Sequence, residues 1–146
     1  MPAAVTPHRF LPVIRKGTTR AVLVLGPIAL KLALGERGRR CNRFEAGLYK
    51  RVNPSRRAML CPVLWCTPTG WVLIARAANP LTEPERDHLM KTGGFPDWDY
   101  LPPNDEGHPF EYKASDWGWL DGDLVALDCS ASVLCEEPHP DMKKWN

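Results

Sequence analysis

The chain of 146 residues is 44% hydrophobic and 25% charged, ordinary proportions for one globular domain. This length excludes a two-domain enzyme of the usual size. Its longest apolar stretch is interrupted at Gly26, Pro27 and Lys31, so it falls short of the roughly 20 apolar residues that a membrane-spanning helix needs. Because the amino terminus lacks the basic-then-apolar order of a secretion signal, we expect a cytoplasmic protein without a membrane partner.

The net charge of +2 conceals two halves of opposite sign. Residues 1–57 contain 13 lysines and arginines against two glutamates, whereas residues 58–146 contain 6 basic and 15 acidic residues. This asymmetry indicates either a polyanionic partner or two halves that face each other across a cleft.

The first third of the chain predicts a strand, a hairpin and a long helix. Residues 10–16 predict a short strand, and the apolar residues on either side of Gly26-Pro27 predict a hairpin of buried strands. Residues 36–53 place apolar side chains at helical spacing among basic ones, at Cys41, Phe44, Leu48 and Val52. This pattern is typical of an amphipathic helix that ends before Pro54.

A second hairpin and a short helix follow. Residues 59–67 and 71–77 predict two strands around a Pro-Thr-Gly turn, and Asn79-Pro80 closes the hairpin. Thr82 and Glu85 have the spacing of a capping box, so we expect a short helix that begins there and ends near glycines 93 and 94.

The last part of the chain predicts a loop, a third hairpin and a tail. Residues 94–108 are rich in Gly, Pro and acidic residues, as loops are. Asp121-Gly122 marks a tight turn between a strand that starts at Trp117 and a strand over 124–127. We therefore expect an α+β domain with an antiparallel sheet and one main helix packed on it, followed by a poorly ordered polar tail.

The cysteine spacing does not favour a structural metal site. The five cysteines lack the paired short spacing of zinc ligands, although Cys135 and His139 could add one ligand. The simplest interpretation is a set of reduced, mostly buried thiols.

The order of elements and several charged residues resemble a protein kinase. The N-terminal lobe of that family is a five-stranded antiparallel sheet with one long helix, and its third strand carries a lysine in an apolar pattern. Ile28–Lys31 (IALK) resembles that pattern, and Glu45 stands where the family has the helix glutamate that pairs with the lysine. The resemblance implies that Lys31 and Glu45 bind nucleotide, with a hinge near residues 77–81.

The resemblance continues in the acidic half. The kinase catalytic loop, Asp-x-Lys-x-x-Asn, is similar to Glu111–Asp116 (EYKASD), and Asp128 follows 12 residues later, where the family has the Asp of Asp-Phe-Gly. The resemblance implies that Glu111 and Asp128 are catalytic residues, that Asp116 and Asp128 bind Mg²⁺, and that ATP is the cofactor.

Several parts of the kinase pattern are missing. Glu111 replaces the catalytic Asp, Asp116 replaces the Asn, and Cys129-Ser130 replaces Phe-Gly. The Gly-rich loop is reduced to Gly17. Because 18 residues follow Asp128, we expect neither an activation segment nor substrate-binding helices. A glutamate at position 111 displaces the carboxylate by about 1.5 Å, so any catalysis is expected to be poor.

The resemblance implies a degenerate kinase-like fold within a single domain over 1–146. Residues 10–80 form the N-lobe-like sheet and helix. Residues 81–130 form a C-lobe-like part, truncated to a short helix and a β-hairpin, and 131–146 form the tail.

Three functions are compatible with these residues. We expect first a non-catalytic binding, inhibitory or regulatory protein of bacterial or phage origin, whose partner is a host macromolecule, in the first instance a protein. The alternatives are a minimal Mg-ATP-dependent phosphotransferase and a nucleic-acid-binding protein that uses the basic helix. The expected partner-binding residues lie on that helix: Arg37, Arg39, Arg40, Arg43, Lys50 and Arg51.

Each candidate residue also has a purely structural interpretation. The Lys31–Glu45 pair could be a buried ion pair without activity. Asp121 and Asp123 are interpreted as turn residues. The tryptophans are expected mainly in the core, and an exposed Trp98 or Trp119 would indicate a protein-binding surface.

Overall fold

A computed structural model describes residues 13–96, 98 and 110–129. The fold is α+β, with a five-stranded antiparallel sheet, one main helix, a smaller three-stranded sheet and a short helix. In this part of the chain no helix is long and apolar enough to cross a membrane.

The five-stranded sheet contains the strands of two hairpins and one edge strand. In the order β1-β2-β3-β5-β4, all neighbours are antiparallel. The strands are β1 (Val13–Lys16), β2 (Arg20–Leu25), β3 (Ile28–Ala33), β4 (Val63–Cys66) and β5 (Val72–Arg76). Both predicted hairpins are confirmed, and the part of the predicted first strand before residue 13 lies outside the described residues. Gly26 adopts a φ of 56°, the left-handed conformation that the first turn requires.

The main helix, α1 (Glu36–Arg51), crosses the inner face of this sheet. Its buried side chains are Cys41, Asn42, Glu45 and Leu48. At Gly38 a Cβ would lie 2.2 Å from the carbonyl oxygen of Thr19, so the close approach of helix and sheet needs a glycine.

A short second helix, α2 (Pro54–Arg57), follows α1 and was not predicted. Asn53 caps it, because its side-chain oxygen accepts the backbone N–H of Arg56 at 2.9 Å. Pro54 ends one helix and starts the next, since a proline is tolerated in the first turn.

The helix predicted from Thr82 is confirmed as α3 (Glu83–Thr92). The Thr82 side chain accepts the Glu85 N–H, and the Glu85 carboxylate accepts the Thr82 N–H, which completes the capping box. Gly93 ends the helix with a φ of 68°.

A three-stranded sheet forms the second part of the fold. It contains β6 (Asn79–Pro80), β7 (Trp117–Leu120) and β8 (Asp123–Ala126), in that order. Asp121 and Gly122 both have positive φ, as the predicted tight turn demands. Asn79-Pro80, predicted to close the second hairpin, pairs instead with β7.

An aromatic core joins the second part to α1. Trp117 is fully buried, and its ring centroid lies 4.7 Å from Phe110 and 5.1 Å from Phe95. Leu48 of α1 and Leu60 belong to the same cluster. The backbone of residues 59–61 also pairs with Ala126, so β8 is joined to the segment that follows α2.

Candidate functional site

The predicted contact between Lys31 and Glu45 is present. Lys31 lies in the middle of β3 on the face that α1 covers, and its Nζ is 2.8 Å from Oε2 of Glu45. The same ammonium donates a hydrogen bond to the carbonyl oxygen of Leu127, at the end of β8. Lys31 therefore connects the sheet, the helix and the second part of the fold.

Arg20 joins this pair, although the sequence analysis did not single it out. Its Nη2 lies 2.9 Å from Oε1 of Glu45 and 3.2 Å from Oδ1 of Asp128, while Nη1 donates to Oδ1 of Asn42 at 3.1 Å. The alternation of side chains along a strand could have identified Arg20. Lys31 pairs with Val22 across the first hairpin, and Arg20, two residues from Val22, lies on the same face. The guanidinium bridges a helix carboxylate and the carboxylate predicted to bind metal.

Glu45 is the centre of the cluster. Its side chain is 1% exposed and accepts hydrogen bonds from Arg20, Lys31 and the backbone N–H of Cys129. Burial alone would raise its pKa, but the two positive charges and their hydrogen bonds outweigh burial and hold the pKa of Glu45 well below its usual range. Glu45 is therefore ionised over the whole physiological range.

Two acidic residues of the catalytic-loop resemblance lie on neighbouring segments. Asp116 ends a single-turn 3-10 helix (Ala114–Asp116), and its carbonyl oxygen accepts the N–H of Leu127 at 2.7 Å, next to Asp128. Burial and the negative charge of Asp128 raise the pKa of Asp116 to about 6. These two carboxylates are the residues that could hold a metal ion, and Asp128 is also in contact with Arg20.

Glu111 takes part in a local ion pair. Its Oε2 lies 2.7 Å from Nζ of Lys113, so this lysine balances the charge of Glu111 locally. Its backbone carbonyl accepts the indole N–H of Trp117 at 2.9 Å. Within the described residues, no three His, Cys, Asp or Glu side chains form a group that could hold a metal ion.

The predicted partner-binding residues of α1 divide into two sets. Arg39, Arg40 and Arg43 gather around Glu36, at nitrogen–oxygen distances of 3.0, 3.8 and 3.6 Å. Arg39 and Arg43 also donate to the carbonyl oxygen of Thr69. These three cations are thus partly neutralised within the fold.

The second set consists of the exposed residues Arg37, Lys50 and Arg51. The Arg51 guanidinium lies 5.3 Å from the ring of Phe44. Lys50 lines a groove of about 340 Å³ between α1 and β4, together with Tyr49, Leu64 and Trp65. The basic residues of α1 therefore do not form one continuous cationic face.

The exposed tryptophans are not those that the sequence analysis considered. Trp98 is buried and Trp119 is half-buried, whereas Trp65 and Trp71 are 54% and 47% exposed. Cys41, Cys61 and Cys129 are buried and Cys66 is half-buried, whereas Cys135, His139 and the tail lie outside the described residues.

Comparisons of the chain with protein-family models, with curated proteins and with solved structures find no match. The assignment of a function therefore depends on the geometry of the ion cluster and of the sheet.

Asp116 predicts a pH-dependent stability. Its pKa is 3.8 in the reference state and about 6 in the folded protein, so between these values the folded state holds a proton that the unfolded chain has released. The contribution of Asp116 to the free energy of unfolding therefore falls as the pH rises through this window. Urea unfolding measures the free energy of unfolding of the wild type and of Asp116→Asn. The value for the wild type minus that for the variant should fall from about pH 4 to about pH 6 and stay constant above about pH 7.

Asp123→Asn, at the exposed start of β8, is the control for removing a surface carboxylate by the same substitution. A constant difference for Asp116→Asn would contradict the raised pKa.

Proposed function

We propose that this chain is a degenerate kinase-like module that acts by binding a protein and not by transferring phosphate. The topology supports the first half of the proposal. Five antiparallel strands, a helix between the third and fourth strands, and a Lys31–Glu45 pair at 2.8 Å are similar to the N-terminal lobe of a protein kinase. The small sheet and α3 would then correspond to a reduced C-terminal lobe.

The observation that carries the loss of activity is the position of Arg20. Phosphoryl transfer needs cations that contact phosphates and carboxylates that hold metal ions. Here Arg20 binds both Glu45 and Asp128, while Lys31 binds Glu45 and the Leu127 carbonyl. Two cations and two carboxylates satisfy one another, so the charges that would serve a nucleotide already have partners inside the protein.

The turn between β1 and β2 supports the same conclusion. It spans Gly17, Thr18 and Thr19, and the Gly17 N–H donates to the Arg20 carbonyl at 2.8 Å. A turn this short offers few backbone N–H groups to phosphates, in contrast to the Gly-rich loop of an active kinase.

The partner is expected to present an acidic surface. Residues 36–57 contain eight basic and two acidic residues, and one of the acidic residues, Glu45, is buried. Arg37 and Lys50 are exposed on α1, where they can meet carboxylates of a partner. Nucleic acid remains the alternative ligand for the same cations.

A second candidate function, Mg-ATP-dependent phosphotransfer, is favoured by one observation. Asp116 and Asp128 lie on adjoining segments, and the charge of Asp128 contributes to the raised pKa of Asp116. Two nearby carboxylates are suitable ligands for Mg²⁺. Asp128 would have to exchange its contact with Arg20 for the metal.

Thermal unfolding with and without Mg²⁺ and ATP distinguishes the two candidates. A nucleotide with a Kd of about 10 µM, added at about 1 mM, would stabilise the protein by about 2.7 kcal/mol and raise its Tm by several degrees. We expect no such shift for the wild type. A shift of this size that Asp128→Asn abolishes and Asp123→Asn retains, together with transfer of the γ-phosphate, would contradict the proposal.

A further inference from the structure

The strands of the five-stranded sheet are apolar on both faces. Residues that are directly opposite in the register share a face, so Ala29, Leu73 and Ala75 lie on the inner face, where all three are buried. Their neighbours along the strands point to the outer face and are apolar too. Near-continuous apolar strands are typical of sheets that are covered on both sides.

One row of residues crosses the outer face from edge to edge. The register aligns one residue from each strand, in the sheet order Ile14, Leu23, Leu30, Ile74 and, after an irregularity in β4, Trp65. Trp65 lies on the edge strand and also borders the groove beside α1. Parallel rows add further apolar residues: Ala21, Leu32 and Val72 on one side, Leu25 and Ile28 on the other. Ile14 and Trp65, at the two ends of the row, are 72% and 54% exposed.

Within the described strands, the register places charged residues only at the corners of this outer face. The register places Lys16 at one corner and Arg76 at the opposite one, and Arg76 is paired with Asp121 at 2.9 Å. The helix that packs extensively on the sheet, α1, lies on the other face. The outer face thus combines exposed aromatic and aliphatic side chains with a charge-free centre.

We propose that the outer face is a self-association surface, on which two copies of this chain pack sheet against sheet. A charge-free face is best matched by a second charge-free face, because a charged partner would lose its hydration without gaining a counter-charge. The same face on a second copy meets this condition.

The area is sufficient for a reversible dimer. Five strands spaced about 4.8 Å apart and about five residues long define a face of about 24 by 17 Å, or about 400 Å² per copy. Apolar patches of this size mark interaction sites on many monomers. Two copies would bury about 800 Å² of flat area, which places the dimer among weak, transient interfaces.

The row of residues suits a two-fold axis that passes near Leu30. Around this axis Leu30 of one copy meets Leu30 of the other once, whereas the contacts of Leu23 with Ile74 and of Ile14 with Trp65 each occur twice. Two sheets packed in this way lie about 10 Å apart. This dimer does not depend on the proposed function, since it uses neither the ion cluster nor the exposed cations of α1.

Sedimentation of the full chain over about 1–200 µM tests the dimer, and we expect a monomer–dimer equilibrium with a micromolar Kd. Ile14→Glu should weaken dimerisation at least about tenfold, because it buries a charge in the interface. Val13→Glu is the matched control. Val13 is adjacent to Ile14 and 49% exposed, but it lies on the inner face. The dimer Kd of the Val13→Glu variant should therefore stay within about twofold of the wild-type value.

Truncation of an exposed tryptophan gives a second pair of variants that introduces no charge. Trp65→Ala should weaken the dimer, whereas Trp71→Ala should not. Circular dichroism verifies that each variant is folded. A chain that remains monomeric at every concentration overturns the proposal. This is the result expected if another segment or another protein covers the outer face. A dimer that Ile14→Glu and Trp65→Ala leave intact also overturns it.

Discussion

Replacement of Glu45 by Gln is expected to lower the free energy of unfolding by about 3–5 kcal/mol, the usual cost of removing one partner from a buried ion pair. Glu45 is 1% exposed and neutralises both Arg20 and Lys31, whose side chains are 7% and 11% exposed. Glutamine keeps the shape but not the charge, so two buried cations would share the single carboxylate of Asp128. Urea unfolding followed by circular dichroism measures the loss.

Glu36→Gln is the matched control on the same helix. Glu36 also contacts several cations, namely Arg39, Arg40 and Arg43, but its side chain is 55% exposed. Exposed ion pairs are screened by water, so we expect a loss below about 1 kcal/mol. If the two variants lost equal stability, the buried cluster would not be the electrostatic centre of the fold.

Trp117→Ala is expected to cost about 3–5 kcal/mol, the range for removing a large aromatic side chain from a core. The Trp117 ring is fully buried and contacts Phe95, Phe110 and Tyr112, and its indole N–H donates to the Glu111 carbonyl. The variant leaves a large cavity in the aromatic core and removes the indole hydrogen bond to the Glu111 carbonyl. The midpoint of urea unfolding reports the loss.

Trp71→Ala provides the comparison for this substitution. Trp71 is 47% exposed and its ring lies 4.9 Å from the Arg39 guanidinium. Loss of such an exposed cation–π contact costs about 0.5–1 kcal/mol. A loss at Trp117 no larger than that at Trp71 would show that the aromatic cluster does not stabilise the second part of the fold.

The regular elements and one contact of the site could be predicted from the sequence. The two hairpins, α1 and the capping box of α3 are encoded by local patterns of spacing and turn residues. The contact between Lys31 and Glu45 followed from the resemblance, because each residue lies in an element with a clear pattern. The roles of Glu111, Asp116 and Asp128 in catalysis or metal binding stay predictions.

The remaining features depend on pairings between distant parts of the chain. The two-residue strand Asn79–Pro80 is defined by its partners Gly118 and Trp119, nearly 40 residues away. No local pattern marks such a strand, least of all one that contains a proline. Arg20 likewise follows an ordinary turn, and its importance comes from Asp128, 108 residues later.

The order of synthesis gives this separation a further consequence. Arg20, Lys31 and Glu45 leave the ribosome early and carry one excess positive charge among them. Asp128 and the Cys129 N–H complete the cluster after about 80 more residues have been added, which takes about 4–16 s at ordinary rates of translation. During that interval the nascent sheet and helix lack the Asp128 carboxylate, so the first half of the chain acquires its final stability only after β8 has been made.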